Sequence, residues 1–324
     1  MNEAKYYKQK DDSKVQCTLC PHYCLIKPDK VGKCRKRKNI KGKLYTLNYG
    51  KTISLSIDPI EKKPLYHFYP GQKILSIGPN SCNMACRFCQ NYEISQNEVK
   101  TYRITPKKLV ELCMERNLDM VAYTYTEPIT WFEFIIESAS ILKENKIKTV
   151  MVTNGFVNQE PLNDLLEYID AMNIDLKSMD KDFYEKICHG KRDPVLNSIK
   201  KAYKKAHIEI TNLIITNEND SDESINQLVD FIADVSKDIP LHFSRYFPHY
   251  KMNNPSTPEK TLKKAARLAK EKLRYVYLGN VISDTHTYCP NCNATLVKRG
   301  FTSTVDISNN KCNSCDTEIY GEWD

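Results

Sequence analysis

The run Ile74-Leu75-Ser76-Ile77-Gly78, followed closely by Ser81-Cys82-Asn83-Met84-Ala85-Cys86-Arg87-Phe88-Cys89-Gln90-Asn91, reads as a β-strand emptying into a cysteine loop. Cys82, Cys86 and Cys89 are spaced Cys-x3-Cys-x2-Cys. Three thiolates on one short loop suit a [4Fe-4S] cluster. Such clusters normally take four cysteines, so one iron is left without a protein ligand. The alternative is three ligands of a tetrahedral zinc site with a distant fourth. Zinc thiolates usually come as Cys-x2-Cys pairs, and this chain carries such pairs elsewhere. The loop after a strand, with Phe88 between the last two cysteines, favours the cluster.

Outward from this loop, short branched apolar runs alternate with amphipathic stretches. Strands are expected near 73–78, 120–125, 148–153, 171–176, 208–215, 241–247 and 275–279. Helices are expected near 106–116, 129–145, 160–168, 180–188, 194–206, 222–236 and 258–272. Thr105-Pro106 and Thr257-Pro258-Glu259 read as helix starts. Strand–helix alternation means parallel strands, and six or more units favour a barrel or partial barrel over an open doubly wound sheet. In such barrels function gathers at the C-terminal strand ends. Each expected strand ends in polar residues or glycine: Thr126-Glu127-Pro128, Thr153-Asn154-Gly155, Asp175-Leu176-Lys177, Thr216-Asn217, Ser244-Arg245 and Gly279-Asn280. Together they describe a lined pocket.

The Cys-x3-Cys-x-aromatic-Cys loop resembles that of the radical S-adenosylmethionine (SAM) superfamily. The runs Asp58-Pro59-Ile60-Glu61-Lys62-Lys63-Pro64-Leu65-Tyr66-His67-Phe68 and Cys89-Gln90-Asn91-Tyr92-Glu93-Ile94-Ser95-Gln96 look like the AmmeMemoRadiSam-system enzymes, relatives of pyruvate formate-lyase activating enzyme. The resemblance runs from Cys17 to Trp323. It implies an α/β fold built on a partial (β/α)6 barrel. It also implies a [4Fe-4S] cluster on Cys82, Cys86 and Cys89 whose open iron binds SAM. Reductive cleavage of SAM would give methionine and a 5′-deoxyadenosyl radical that abstracts hydrogen from a protein or other macromolecular substrate. Phe88 would lean toward the adenine. Glu127 would receive the SAM ammonium, although Tyr125 and Thr126 replace the two glycines usual in that motif. Asn154 and Gly155 would contact the SAM carboxylate or ribose. Asp175 and Lys177 resemble the Asp-Leu-Lys motif of glycyl-radical activases, and as alternate strand residues both can face the lumen. A lumen salt bridge without further function is the competing account. His242, Ser244 and Arg245 are further pocket candidates, and His67 is a family-type position that packing explains equally well. A low-potential electron donor such as a ferredoxin or flavodoxin is implied, and AMMECR1-type and Memo-type proteins are candidate partners.

Three segments follow. Residues 1–45 form a basic, cysteine-rich head, residues 46–283 the barrel, and residues 284–324 a second cysteine-rich unit. Cys289, Cys292, Cys312 and Cys315 form paired Cys-x2-Cys knuckles, the signal of a structural zinc ribbon, with an auxiliary iron–sulfur cluster as the alternative. Cys17, Cys20, Cys24 and Cys34, with His22 among them, imply another centre, zinc or a second cluster, and knuckle-like turns lean toward zinc. Cys113 reads as a buried structural thiol, and Cys188 stands alone.

Residues 1–45 carry 13 Lys/Arg against 4 Asp/Glu, while the whole chain is only +8. The densest point is Arg35-Lys36-Arg37-Lys38. It reads first as a solvated face. RNA modification is the alternative it raises, and nucleic acid is not favoured as a partner because no aromatic-interleaved motif accompanies the charge. No stretch matches the roughly 18 apolar residues of a membrane span, and the first residues lack a signal-peptide core. The cytoplasm is the expected compartment, where cysteine clusters bind metals rather than form disulfides. A non-enzymatic electron carrier would explain the cysteines but not the polar strand ends.

Overall fold

The computed structural model describes residues 2–300 and 302–323. Its centre is an eight-stranded sheet: β1 (Leu55–Pro59), β2 (Lys73–Ile77), β3 (Met120–Tyr123), β4 (Lys148–Thr153), β5 (Ala171–Asp175), β6 (His207–Ile214), β7 (Leu241–Arg245) and β8 (Val276–Gly279). The strands pair in strict chain order. β1 pairs antiparallel to β2, and every later pair is parallel. Crossovers carry α1 (Pro106–Arg116), α2 (Phe132–Glu144), α3 (Gln159–Leu166), α4 (Arg192–Ala202), α5 (Asp222–Val235) and α6 (Glu259–Lys270). The order is that of a barrel, but the outer strands β1 and β8 do not pair, so the wall stays open on one side.

The seven expected strands and six of the seven expected helices fall where the sequence puts them, because strands covered on both faces read as continuous apolar runs; the stretch 180–188 forms only a short π-helical turn. All four residues of β3 are buried. At α1 the Thr105 hydroxyl accepts the Lys108 N–H at 3.1 Å and Pro106 opens the helix. The second expected cap differs. Thr257 does not cap α6; its hydroxyl donates to the Ile214 carbonyl at the end of β6.

The head is made of two small antiparallel sheets. Its Val15, Leu19 and Ile26 belong to the same buried cluster as the barrel's Trp131, Phe132 and Phe156. The run 35–38 is not a solvated face. Lys36 and Arg37 are buried, Lys36 pairing with Glu98 and Arg37 with both oxygens of Glu133 at 2.7 and 2.9 Å. Arg35 is half-buried against Ser95 and Gln96. Charges spent on internal pairs do not form a patch for nucleic acid.

The C-terminal unit closes the barrel's N-terminal end. Tyr69 donates its N–H to Glu322, and Glu322 donates back to His67. The His67 ring is fully buried: Nδ1–H donates to the Tyr320 carbonyl at 2.8 Å and Nε2 accepts the Tyr277 hydroxyl at 2.7 Å. Beneath it, Glu209 accepts the N–H groups of Tyr66 and His67 and the ring N–H groups of His207 and His242, at 2.6–3.1 Å. Four donors make this buried carboxylate tolerable. Among the described residues no helix is long and apolar enough to cross a membrane.

Candidate functional site

At the opposite, C-terminal end of the strands lies a cavity of about 230 Å³. Cys82, Cys86 and Cys89 line it, as do residues from the ends of five other strands. These are Tyr125 and Thr126 after β3, Asn154 after β4, Asp175 and Lys177 at β5, Thr211 and Leu213 on β6, and Ser244 on β7. A single cavity reached by successive strands requires the sheet to curl around it, as the barrel reading expects. A second cavity, of about 510 Å³, shares Asn91, Tyr125, Thr126, Asn154 and Asp175 with it and extends toward Asp58, Lys62 and Lys63 on the open side.

The cysteine loop is pinned from several sides. Gly78 ends β2 where a Cβ would stand 2.1 Å from the Thr124 carbonyl, so no other residue lets β3 approach there. The N–H groups of Ala85 and Arg87 donate to the carbonyls of Cys188 and Ile187. That support comes from a single π-helical turn, Phe183–Ile187, which the sequence reads as an ordinary helix. Cys188 is therefore not merely an isolated thiol: its backbone braces the loop, and its buried side chain follows a turn of a kind often found at functional sites. The sulfurs have donors nearby. The Met84 N–H lies 3.3 Å from Cys82 Sγ, the Ser95 hydroxyl 3.4 Å from Cys89 Sγ, and the Asn154 amide 3.7 Å from Cys82 Sγ.

Opposite the loop, Lys177 Nζ lies 2.9 Å from the Asp175 carboxylate and 5.8 Å from the Phe88 ring centre. Burial opposes the lysine's charge, but Asp175 together with the neighbouring Cys86 and Cys188 sulfurs outweighs it and holds Lys177 well above the ordinary lysine range. Phe88 is itself buried.

Other expected site residues fall elsewhere. Glu127 is fully buried and does not line the cavity. Its oxygens accept the Ile129 N–H at 3.0 Å, the Thr153 hydroxyl at 2.7 Å and the Asn154 N–H at 2.8 Å. Burial raises its carboxyl to about 7 against those bonds. Three of its roughly four acceptor sites are taken by these donors, and from its buried place off the cavity it holds Asn154 in position. Gly155 lies behind the cavity wall at φ +64, where a Cβ would sit 3.0 Å from Ile174 Cγ2. It serves the turn rather than a ligand. His242 belongs to the buried Glu209 cluster at the other end, and the Arg245 guanidinium donates to the Thr257 carbonyl. Of the three β7 candidates only Ser244 reaches the cavity. His67 is a packing residue.

In the C-terminal unit, the Cys289, Cys292, Cys312 and Cys315 sulfurs all lie within 4.8 Å of one another. Cys289–Cys315 is 3.6 Å and Cys292–Cys312 3.7 Å. Tetrahedral bonds of about 2.3 Å place thiolates ~3.8 Å apart, so these four match one zinc-sized ion. Each knuckle ends in a left-handed residue, Asn293 or Asp316.

The Radical SAM superfamily profile matches residues 76–232. The chain is 43% identical to an uncharacterized protein of Methanocaldococcus jannaschii over 98% of its own length and 99% of that protein. It is 29% identical to the 4-hydroxyphenylacetate decarboxylase activating enzyme of Clostridium scatologenes, but over only 35% of this chain and 37% of that enzyme. In fold it is similar to a radical SAM methyltransferase from Sphaerobacter thermophilus, at a TM-score of 0.52 and 13% identity over 65% of this chain and 67% of that one. That family implies a [4Fe-4S] cluster and SAM. The residues fit: three sulfurs with N–H and O–H donors line one wall of a cavity whose other wall is a lysine–carboxylate pair. The profile and the cysteine-lined cavity agree, and the chain belongs to the radical SAM superfamily and is a radical SAM enzyme.

Proposed function

We propose that this enzyme abstracts a hydrogen atom from a protein or other macromolecular substrate, in the manner of a glycyl-radical activating enzyme. The single cavity that gathers three cysteines with the tips of successive strands carries this reading. When bound, the cluster and SAM supply one-electron cleavage to methionine and a 5′-deoxyadenosyl radical. The chain supplies the rest. Cys82, Cys86 and Cys89 would hold three irons. Asn154, fixed by Glu127, would orient the polar end of SAM, and Phe88 would offer an apolar face. Lys177 and Asp175 would present a paired charge to SAM or substrate. Met84, Phe88 and Leu213 would give the reacting end an apolar wall.

The macromolecular substrate is supported by the activating-enzyme relative and by the adjoining 510 Å³ cavity on the barrel's open side, which gives a segment of chain a way in. A low-potential carrier such as a ferredoxin or flavodoxin would supply the electron. AMMECR1-type and Memo-type proteins are the partners to try first, on the resemblance of the Asp58–Phe68 run. In the same reading the C-terminal four cysteines hold a structural zinc that keeps the barrel floor closed.

The experiment is anaerobic reconstitution followed by EPR of the reduced protein with and without SAM and mass spectrometry of 5′-deoxyadenosine. A SAM-dependent spectrum and 5′-deoxyadenosine that vanishes in Cys86→Ala are expected. Deuterium passing from a labelled candidate protein into 5′-deoxyadenosine would identify the substrate. A cluster indifferent to SAM would overturn the assignment.

A further inference from the structure

The head's four cysteines encircle a small closed space. Cys17, Cys20, Cys24 and Cys34 all line one cavity of about 20 Å³, wedged between the head, the cysteine loop at Asn83 and the turn at Ile129 and Thr130. This is not the arrangement of the C-terminal unit. Among the described residues only the C-terminal four are drawn to within 4.8 Å of one another. The head's four sulfurs line a shared space without drawing to within 4.8 Å of one another, and the same holds for Cys82, Cys86 and Cys89. A zinc ion needs thiolates about 3.8 Å apart. A cubane, with one thiolate on each of four irons, needs them spread around its volume.

Two further features favour an anionic, sulfur-rich occupant. Arg37 lines the cavity, is 1% exposed, and has a buried Nε–H with no partner. A buried guanidinium donor without an acceptor calls for one. The Lys33 N–H already points to Cys24 Sγ at 3.5 Å, as donors do to ligating sulfurs. His22 does not compete as a ligand: Nε2–H donates to the Asn83 carbonyl at 2.7 Å, and Nδ1 accepts from Lys33 Nζ at 3.3 Å.

That histidine bond also ties the two cysteine sites together. The Ser81 hydroxyl donates to the Cys34 carbonyl at 2.7 Å, and Ser81 is bonded directly to Cys82. One hydrogen bond therefore joins a head cysteine to a loop cysteine.

We infer that the head holds a second, fully ligated [4Fe-4S] cluster that relays electrons to the SAM site. One electron from a reduced low-potential carrier protein enters at Cys17, Cys20, Cys24 and Cys34 and passes through the Cys34–Ser81 bridge. It is then consumed where the carbon–sulfur bond of SAM breaks. No bond forms or breaks at the head. The relay rests on the radical SAM reading; the metal assignment does not.

The test uses the full chain, reconstituted anaerobically with iron and sulfide, with iron, sulfide and zinc counted. The triple variant Cys82→Ala, Cys86→Ala, Cys89→Ala leaves the head intact. It should keep about four irons and four sulfides per chain, half the wild-type content. Loss of all iron, or two zinc ions per chain, would overturn the inference. Cys20→Ser with Cys24→Ser should keep the loop's four irons and their response to SAM, and retained C-terminal zinc serves as a fold control. Reduced wild type should show an EPR signal broadened by two coupled spins, and both variants should lack that broadening. A wild-type spectrum equal to the sum of the two variants would overturn the relay. A SAM-indifferent wild type, with iron retained in the triple variant, would sink the radical SAM reading and leave the second cluster standing.

Discussion

The Glu127 carboxylate accepts the Asn154 backbone N–H at 2.8 Å, a bond that locks the end of β4 to the turn after β3. It converts a residue expected to touch SAM into one that positions a residue lining the cavity. Glu127→Ala would leave three donors buried without partners, at a cost of about 3 kcal/mol or more. Iron content should stay near wild type, because the cysteines are untouched. The KM for SAM should rise and the melting temperature should fall. An unchanged KM would mean that Asn154 does not need this anchor.

The Asp175–Lys177 pair makes a separate prediction. Lys177→Met removes the ammonium from the cavity and leaves Asp175, about a third exposed, to be solvated. Stability should drop by only about 1–2 kcal/mol, less than for a fully buried pair. SAM cleavage should fall at least tenfold, about 1.4 kcal/mol of barrier, with iron retained. Equal 5′-deoxyadenosine yields would make the pair structural.

Acid should loosen the barrel floor. Burial lowers the His67 ring from its ordinary 6.5 to about 3, so it is neutral when folded and takes up a proton when unfolded. A depressed folded value stabilises the fold above about 6.5 and is lost as pH falls from there toward 3. Burial would raise Glu209, but His207 and His242 outweigh it and hold it below the carboxylate range, adding a further loss below about pH 4. The melting temperature should therefore decline from pH 6.5 downward. His67→Gln should flatten the part between 6.5 and 4. An identical slope in the variant would reject this origin.

Metal removal separates the C-terminal unit from the chemistry. Cys292, the exposed member of the four, gives a chelator its access. Cys292→Ser should lose about one zinc per chain and expose residues 284–323 to proteolysis, while the SAM-dependent EPR change persists. Unchanged zinc would dismiss the assignment.

The parallel strands were legible because their branched runs are buried on both faces, and the cysteine loop was legible from spacing alone. β1 was not, and its pattern explains why. Leu55 and Ile57 face outward at 48% and 44% exposure while Asp58 points in, the reverse of ordinary alternation. Alternation also places His242 and Ser244 on one face without telling depth, so one fell into the Glu209 cluster and the other into the cavity. Lys36 and Arg37 looked like surface charge because their partners, Glu98 and Glu133, are distant in sequence. The brace at Ile187 and Cys188 is likewise a backbone contact between remote segments, which composition cannot signal.

The bond from His67 to Tyr320 spans 253 positions. Closing so long a loop is entropically costly and is repaid only once both surfaces exist. Docking of the C-terminal unit is therefore expected late in folding, which pulsed hydrogen exchange at the Tyr69 and Glu322 amides would check. Without it, Phe68 would lose its backbone bridge to Glu322, and His207 its stacking partner Tyr320. Chains in which this unit fails to fold would be left with finished strands and a sticky underside, prone to aggregate.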